Sequence, residues 1–515
     1  MSLRSRETAL VVAIVSAIAI WWVWAAIDPA PLVEDEVSYV LQSQIFASGH
    51  WAAPSPPAPE FFQQAHVITV PAVASKYPPG HALLLSLGTL LGARALVPLL
   101  LTGLSGALLF LLVRRISNDW VAALTSIIWL GDPINLRFRA GYYSEVTSET
   151  LWFLSWWSLL QWRDTRQRRW LLALAAAIGW GAITRPLTML AFAVPVGILV
   201  MRDVVRLRLW KDFGLAVALG TLVLGVIPLW SARTTGNWRV TPLTLYLRDY
   251  LPFDKPGFGV DSTPPARALS APNNITYVGF YDEHVRHTPG NLPRIAFDRL
   301  RVIATDEWGG VRVVLVPFVV LGFFALNAEA VFALVCALAL FMGYLSYGHW
   351  SRWTLYYFEA MPVLSLLAAL GVWKALTYFR SRGGSPVSDL PSRRMRATMF
   401  ATAGLLMILT GYELRTWRDI RRGLAIWDTS FHELVGKLPM HQAVIFVHYA
   451  PGLVAHGTYM MNSPHLADEP IWLVNDLGAR NTELMRYSGP RIPLAFYEVG
   501  GKLEIDRSLI GPKPK

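Results

Sequence analysis

The chain has 515 residues, of which 54% are hydrophobic and 16% are charged, and its mean hydropathy is +0.38. Soluble domains usually carry about 25% charged residues, so this composition excludes an ordinary soluble protein and indicates a membrane protein with several spans. The net charge of +11 does not indicate a nucleic-acid partner, because Lys and Arg occur in short clusters between apolar segments. The single cysteine, Cys336, excludes an intramolecular disulfide and makes a thiolate metal site implausible.

Apolar segments long enough to cross a bilayer recur from residue 8 to residue 413. We assign the basic clusters at 114–115, 163–169, 202–211 and 374–396 to cytoplasmic loops, with the N-terminus inside and the C-terminus outside. Arginines at 415–422 argue against this orientation, because they would lie just outside the last span. About eleven transmembrane helices are predicted, at 8–27, 96–113, 119–132, 147–162, 170–184, 187–201, 213–232, 311–326, 328–348, 354–373 and 398–413.

The segments outside these helices predict the domain organisation. We expect a transmembrane domain at 1–414, with outer loops at 28–95 and 233–310, and a small extracytoplasmic α/β domain at 415–515. In the first loop, the apolar stretch 81–92 is too short to span and is predicted to lie in the interface or to re-enter the bilayer. The second loop has turn signals and little helical periodicity. In the tail, 443–447 and 471–474 predict strands and 481–487 predicts a short helix.

The most informative polar segment follows the first apolar helix, where Glu34, Asp35 and Glu36 are consecutive. Carboxylates so close to a membrane boundary are costly in lipid, so they must face water, a cation or a reacting group. Forty residues after Glu36, Lys76 begins the segment Lys-Tyr-Pro-Pro-Gly-His, in which the prolines keep the chain extended. A lysine held there presents a positive charge to an anionic group such as a phosphate. We therefore predict an active site at the membrane rim.

A second set of charged and aromatic residues flanks later helices. Arg185 precedes Pro186 and interrupts an apolar hairpin. The arginine charge and the backbone groups freed by the proline are tolerable within a membrane only if they line a cavity. Carboxylates and cations thus alternate at one predicted level of the bilayer. The remaining candidates for a donor and acceptor cavity are Tyr39, His66, Tyr77, His81, Arg137, Arg139, Tyr143, Glu145, Glu149, His349, Arg352, Tyr357 and Glu359.

Each candidate also has a structural interpretation. Asp35 or Glu36 would cap a helix, and Lys76 would anchor the chain at the interface. The two glutamates of the second set would neutralise the arginines just before them, and Arg185 would satisfy carbonyls at the helix break. The histidines fit structural positions slightly better than catalytic ones, and the tyrosines fit an interfacial belt.

Three motifs of the first loop together resemble the GT-C membrane glycosyltransferases, especially the protein O-mannosyltransferase and aminoarabinose (lipid A) transferase group. They are Asp-Glu-Val-Ser-Tyr from Asp35, Ala-Ser-Gly-His-Trp from Ala47 and Lys-Tyr-Pro-Pro-Gly from Lys76. Thr-Arg-Pro around Arg185 and the Tyr-Tyr-Phe-Glu-Ala-Met-Pro segment from Tyr356 are similar to later features of that group. The resemblance is good over residues 1–200, weaker to 373 and absent in the tail.

The resemblance implies a GT-C fold and transfer of a sugar, with inversion, from a polyprenyl-phosphate donor on the outer face of the bacterial inner membrane. Asp35 matches the general base and Glu36 an assisting or orienting residue, while Lys76 matches the lysine near the donor phosphate. Arg185 and Arg352 are expected to be further phosphate contacts. The acceptor is a hydroxyl of a cell-envelope glycan, a lipid or a protein. This sequence departs from the family's usual Lys-Pro-Pro by inserting Tyr77, and its second acidic site is less acidic than the family's.

The resemblance also implies that no metal is required. A carboxylate triplet could nevertheless hold Mg²⁺ or Mn²⁺ through oxygen ligands. The rival class is a membrane transporter or flippase of lipid-linked sugars. A transporter should show internal repeats and polar residues at the bilayer midplane, whereas these residues cluster at one rim.

Overall fold

The computed structural model describes residues 3–24, 29–382, 393–438, 442–449, 459–498 and 502–505. Most of these residues are helical. The α-helices are α1 Leu3–Trp24, α2 Glu34–Ala47, α3 Gly80–Leu90, α4 Leu96–Ile116, α5 Asp119–Leu130, α6 Pro133–Arg139, α7 Ser144–Thr165, α8 Arg168–Ala182, α9 Pro186–Leu207, α10 Trp210–Leu224, α11 Val226–Thr235, α12 Pro242–Tyr250, α13 Ala271–Arg286, α14 Leu292–Trp308, α15 Val316–Phe323, α16 Ala328–Tyr344, α17 Pro362–Arg382, α18 Arg393–Gly436 and α19 Asn481–Met485. The strands are β1 Ala53–Pro54, β2 Val67–Ile68, β3 Ala72–Ser75, β4 Ala443–His448, β5 Ile471–Asn475, β6 Ile492–Tyr497 and β7 Lys502–Ile505.

Local sequence signals explain where several helices begin. The Asn118 side chain accepts hydrogen bonds from the N–H groups of Trp120 (3.0 Å) and Val121 (3.1 Å) and thereby caps α5. Asp132 caps α6 in the same way, and α6 opens with a proline, which lacks the N–H that would otherwise need a partner. The helix predicted at 119–132 therefore ends two residues earlier, at Leu130, and the Asp132 cap begins a further short helix after it.

Five helical segments in the described residues are long and apolar enough to cross a membrane, or up to seven if each of two bent pairs counts as one span. The bent pairs are Gly310–Phe323 with Ala328–Tyr344 and Thr354–Ala360 with Pro362–Tyr378. The chain is a multi-pass membrane protein, but the predicted number of eleven spans stays a prediction. α7 and α8 lie at two of the predicted spans and are not among the candidates. The five segments are Arg6–Trp24, Leu96–Ile116, Pro186–Leu207, Trp210–Thr235 and Arg396–Ala425.

By its contacts the chain divides into two compact units. Unit 1 comprises Met1–Ile27, Ala95–Leu224 and Gly290–Ile420, and unit 2 comprises Asp28–Arg94, Gly225–Pro289 and Arg421–Lys515. This grouping differs from the predicted boundary at residue 414, because it joins the tail to both large loops. The boundary remains a prediction about domains of the chain.

Unit 1 is a helical assembly around one continuous apolar core. The core includes large side chains such as Trp129 and Trp162, which are fully buried. α1 packs against α4, and α15 packs against α17. Two glycines, which have no Cβ, allow α15 and α17 to approach closely. A Cβ on Gly322 would meet the Leu367 carbonyl, and a Cβ on Gly371 would meet the Phe318 carbonyl.

Unit 2 contains two small sheets and the helices between them. β1, β3 and β2 form an antiparallel sheet in that order, and its strand β3 packs against α2. In the tail the order is β5-β4-β6-β7, with β4 parallel to β5 and β6, and β7 antiparallel to β6. One face of the tail sheet packs on Phe61 and Phe62 of the first loop through Phe446, Trp472 and their neighbours. The tail sheet and the first loop therefore share a core.

The secondary structure of the tail agrees with the sequence analysis, while that of the second loop does not. The predicted tail strands correspond to β4 and β5, and the short helix corresponds to α19. The expectation of little helix at 233–310 is wrong, because α12, α13 and α14 fall within it. Each of these helices has a proline in its first turn, and proline is favoured both in turns and at that position of a helix.

Candidate active site

The three consecutive carboxylates open α2, and each has a different environment. Glu36 Oε2 accepts hydrogen bonds from the backbone N–H groups of Leu32 (2.6 Å) and Val33 (3.3 Å) and thereby caps the start of α2 from its first turn. This interaction keeps Glu36 buried, and Glu34 is buried as well. The Asp35 side chain is 27% exposed, so it is the carboxylate of the three that a substrate can most readily reach.

The Asp35 carboxylate lies against side chains of the first loop. The Tyr77 hydroxyl donates a hydrogen bond to Oδ1, and His66 Nε2 lies 3.7 Å from Oδ2. The Tyr77 ring stacks on Tyr39 with 4.9 Å between centroids, and His81 meets Tyr39 edge-on at 4.9 Å. The two tyrosines and two histidines therefore restrict the position of the carboxylate and form one wall around it.

Lys76 is buried beside this wall. Its backbone N–H donates to the His66 carbonyl (2.8 Å), which fixes the start of the Lys-Tyr-Pro-Pro segment. Nζ lies 5.1 Å from the centroid of Tyr77 and 4.9 Å from that of Tyr246. In the part of the chain that the structure describes, Nζ makes these ring contacts and no ion pair. A buried ammonium that makes ring contacts and no ion pair is suited to receive an anionic ligand.

The pKa values of two groups respond to this burial. Burial lowers the pKa of Lys76, and the nearby carboxylates of Asp254, Asp35 and Glu34 oppose that shift. Burial and then the Asp35 charge raise the pKa of Glu34 to about 8, while Lys76 acts in the opposite direction. Glu34 is therefore mostly protonated at neutral pH, so it does not neutralise Lys76 with a full charge.

Arg185 is the centre of a separate network in unit 1. Its Nη1 lies 2.5 Å from Glu145 Oε1, and its Nε lies 3.4 Å from Glu359 Oε1. Nη2 also donates to the Leu355 carbonyl at 3.3 Å, and the Ser148 hydroxyl donates to Glu359. The guanidinium thus has two carboxylate partners and a carbonyl partner within the protein, whereas its structural interpretation named only carbonyls at the helix break. Its predicted contact with a donor phosphate stays a prediction.

The other early residues of the second set are divided between the interior and the surface. Arg139 and Glu149 form a fully buried ion pair, and the Trp129 indole N–H lies 3.4 Å from Glu149 Oε1. Arg137 is exposed, with its guanidinium 5.4 Å from the Phe138 ring centroid. The pairing of Glu149 with Arg139 matches the structural alternative for these residues.

The late members of the set are arranged around a buried tyrosine. The Tyr357 hydroxyl lies 3.3 Å from Arg299 Nη1 and 3.1 Å from His349 Nε2. Arg299 was not among the candidates, because a lone arginine in the turn-rich second loop gave no signal. Arg352 is exposed and has no ion pair among the described residues, and Tyr143 is partly buried.

The structure thus brings together the first-loop candidates within unit 2, and it places the second set in unit 1. Sequence reasoning missed Tyr246 and Asp254, which lie near Lys76, because no motif marks them in the second loop. It also gave no separate role to Glu34. In the described residues no group of three or more His, Cys, Asp or Glu side chains could hold a metal ion, so the prediction about metals stays a prediction.

Comparisons with known proteins address the fold and the family. The family model described as dolichyl-phosphate-mannose-protein mannosyltransferase matches residues 76–231, beginning at Lys76. The crystal structure of ArnT from Cupriavidus metallidurans bound to undecaprenyl phosphate matches with a TM-score of 0.50 and 18% identity, covering 94% of this chain and 92% of that chain. The chain has a GT-C fold. The apo state of the same protein matches equally well, with a TM-score of 0.50 and 17% identity over 94% of this chain and 92% of that one.

More distant matches add no further argument. The Archaeoglobus fulgidus oligosaccharyltransferase in the apo form gives a TM-score of 0.47 and 12% identity, covering 87% of this chain and 63% of that chain. No curated protein matches this sequence. The predicted resemblance to GT-C membrane glycosyltransferases is confirmed, and the comparisons support the transferase class.

Proposed function

We propose that this GT-C protein transfers a sugar from a polyprenyl-phosphate donor to a hydroxyl acceptor on the outer face of the bacterial inner membrane. The observation that carries the proposal is that a partly exposed carboxylate, Asp35, and a buried ammonium, Lys76, both contact Tyr77. Lys76 makes no ion pair among the described residues. The match of the mannosyltransferase family model from Lys76 onward supports it. The undecaprenyl phosphate of the ArnT structure supports the choice of lipid carrier.

In this proposal Asp35 is the general base. The acceptor oxygen attacks the anomeric carbon, its proton passes to Asp35, and the bond from that carbon to the phosphate oxygen breaks with inversion. The Tyr77 hydroxyl and His66 hold the carboxylate in position for this proton transfer. Glu36 contributes by fixing the start of α2 and hence the position of Asp35.

Lys76 stabilises the leaving phosphate. Negative charge on that phosphate increases as the bond breaks, and a fixed ammonium stabilises the increase without reorganisation. Arg185 and Arg352 are secondary phosphate contacts in this proposal, and Arg352 is the more available of the two because it has no ion pair among the described residues. These residues supply the required charges, so we propose that no divalent cation is needed.

The test is cleavage of radiolabelled undecaprenyl-phosphate sugars by the purified protein in lipid nanodiscs, with a membrane extract as the source of acceptor. We expect release of undecaprenyl phosphate by the wild type, and Asp35→Asn to reduce the rate by a factor of at least about 100, because the base is lost. Asp261→Asn is the matched control, since Asp261 is a partly exposed carboxylate of the second loop that pairs with Lys255.

Two results would refute the proposal. Translocation of the labelled lipid without cleavage, measured with the protein in sealed proteoliposomes, would identify a flippase instead. Full turnover by Asp35→Asn, with the control variant also active, would remove Asp35 as the base. A chelator added to the same assay tests the metal, and we expect no loss of turnover.

A further inference from the structure

A basic and aromatic cavity of about 990 Å³ lies in unit 1, and none of its lining residues is among the candidate site residues discussed above. Residues of α1, α4, α5, α7 and α8 and of the α4–α5 connection line it. Its charged residues are Arg6, Arg114, Arg115, Asp119, Asp164 and Arg169. Nothing in the proposed transfer reaction uses them.

The cavity lies at the polar boundary of two candidate spans. The span Arg6–Trp24 begins with Arg6, and Arg114 and Arg115 lie in the last turn of the span Leu96–Ile116. α1 and α4 pack against each other, so these residues mark one common end of the pair. Phospholipid phosphates lie at this depth, and basic pockets between transmembrane helices bind acidic headgroups.

The charges of the cavity do not balance. Arg114 pairs with Asp119, and Arg115 pairs with Asp164 through two hydrogen bonds, one of them 2.9 Å long. These pairs connect α4 to α5 and α7 and fix the walls. Arg6 and Arg169 line the same cavity and have no ion pair among the described residues. Two positive charges are therefore left for a ligand.

The remaining wall is apolar and aromatic. Leu111, Trp157 and Trp170 line the cavity, and the Arg169 guanidinium lies 5.3 Å from the Trp170 ring centroid. Tryptophan favours the membrane interface because most of its ring is apolar while its N–H is polar. A free inorganic anion would use the arginines alone. A phospholipid would use both the arginines and the apolar wall.

We propose that this cavity binds the headgroup of an anionic phospholipid from the surrounding leaflet. Arg6 and Arg169 contact its phosphate, and the two tryptophans contact the glycerol and the upper acyl carbons. The bound lipid would anchor α1 against α4 and α7, and no residue of this cavity is assigned to the proposed donor site.

Native mass spectrometry of the full protein, released from micelles that contain phosphatidylglycerol or phosphatidylcholine, tests this proposal. We expect the wild type to retain phosphatidylglycerol selectively. The double variant R6A/R169A should bind it roughly 30-fold more weakly, because each basic residue near an anionic lipid contributes about 1 kcal/mol to binding and two are removed. The charge-retaining variant R6K/R169K should bind within a few-fold of the wild type.

The matched control is Arg239→Ala, because Arg239 also lies over a tryptophan, at 4.7 Å from the Trp238 ring centroid, but outside this cavity. It should retain phosphatidylglycerol as the wild type does. Equal retention of the two lipids, or no loss in R6A/R169A, would overturn the proposal. Displacement of the lipid by inorganic phosphate at equal concentration would also overturn it and would assign the cavity to a free anion.

Discussion

Three neighbouring acidic residues have different environments because successive residues of a helix point about 100° apart. Glu34 points into the protein, Asp35 to a partly open site, and Glu36 back to the helix start. The sequence predicted that the three carboxylates do not face lipid, and the family resemblance identified Asp35 as the expected general base. It could not predict which side chain would cap the helix, because that depends on the direction from which the chain enters α2.

The buried Glu34 makes stability depend on pH. Its pKa in the folded protein is raised from 4.5 to about 8, so between these values the unfolded chain loses the proton while the folded chain keeps it. Stability therefore falls as the pH rises from about 4.5 to about 8, by at most about 1.4 kcal/mol per unit. We expect Glu34→Gln to reduce this slope in thermal unfolding of the detergent-solubilised protein. A slope identical to that of the wild type would contradict the protonated state of Glu34.

Replacing the lysine tests the proposed phosphate contact. Lys76→Met keeps most of the volume between Tyr77 and Tyr246 but removes the charge. Loss of a charged hydrogen bond of about 1.5–3 kcal/mol predicts a decrease in kcat/KM for the polyprenyl donor of roughly 10-fold to 150-fold. Lys255→Met is the control, since Lys255 is exposed and pairs with Asp261. Equal kcat/KM for both variants would remove Lys76 from the donor site.

At the scale of elements, the close packing of α15 against α17 depends on two glycines, one in each helix. Gly322 of α15 and Gly371 of α17 each lie against a backbone carbonyl of the partner helix. The sequence predicted helices at both positions but gave no reason to select these glycines. Small residues at helix contacts are common in membranes, and the partner of each helix becomes known only from the fold.

We expect Gly371→Ala to destabilise the protein by several kcal/mol, because its Cβ would overlap the Phe318 carbonyl and force α15 away from α17. The measurement is the apparent melting temperature in detergent. Gly404→Ala is the matched control, since Gly404 lies within α18 and a Cβ there meets nothing within 4 Å. That variant should be neutral or slightly stabilised, as alanine is the better helix former. Equal melting temperatures for the two variants would contradict the close contact.

At the scale of the molecule, the sequence predicted the class of fold but not its grouping. Composition and apolar periodicity were enough to predict a polytopic helical protein, and alternating apolar residues were enough to predict the tail strands. The association of the tail with the first loop was not predictable, because it joins residues about 400 positions apart. Asn475 shows the difficulty, since nothing near it in the sequence indicates its partners.

The contact between the tail and the first loop predicts a long-range effect on the site. The Asn475 amide donates to the carbonyls of Phe61 (3.1 Å) and Gln63 (2.7 Å), a few residues before His66. Asn475→Ala leaves two buried carbonyls without these bonds, at a cost of about 2 kcal/mol. We expect hydrogen exchange across residues 59–76 to accelerate by about 30-fold and donor turnover to fall.

The matched control for this effect is Asn462→Ala. The Asn462 side chain also makes two hydrogen bonds to backbone groups, at 2.7 and 2.9 Å, but both are to Leu473 within the tail. Its loss should accelerate exchange around β5 and leave 59–76 protected. If both variants accelerated exchange only in the tail, the tail would not hold the loop that carries His66 and Lys76. If Asn475→Ala alone accelerated exchange across 59–76 while turnover stayed normal, the hydrogen bonds of Asn475 would stabilise the loop without setting the position of Lys76.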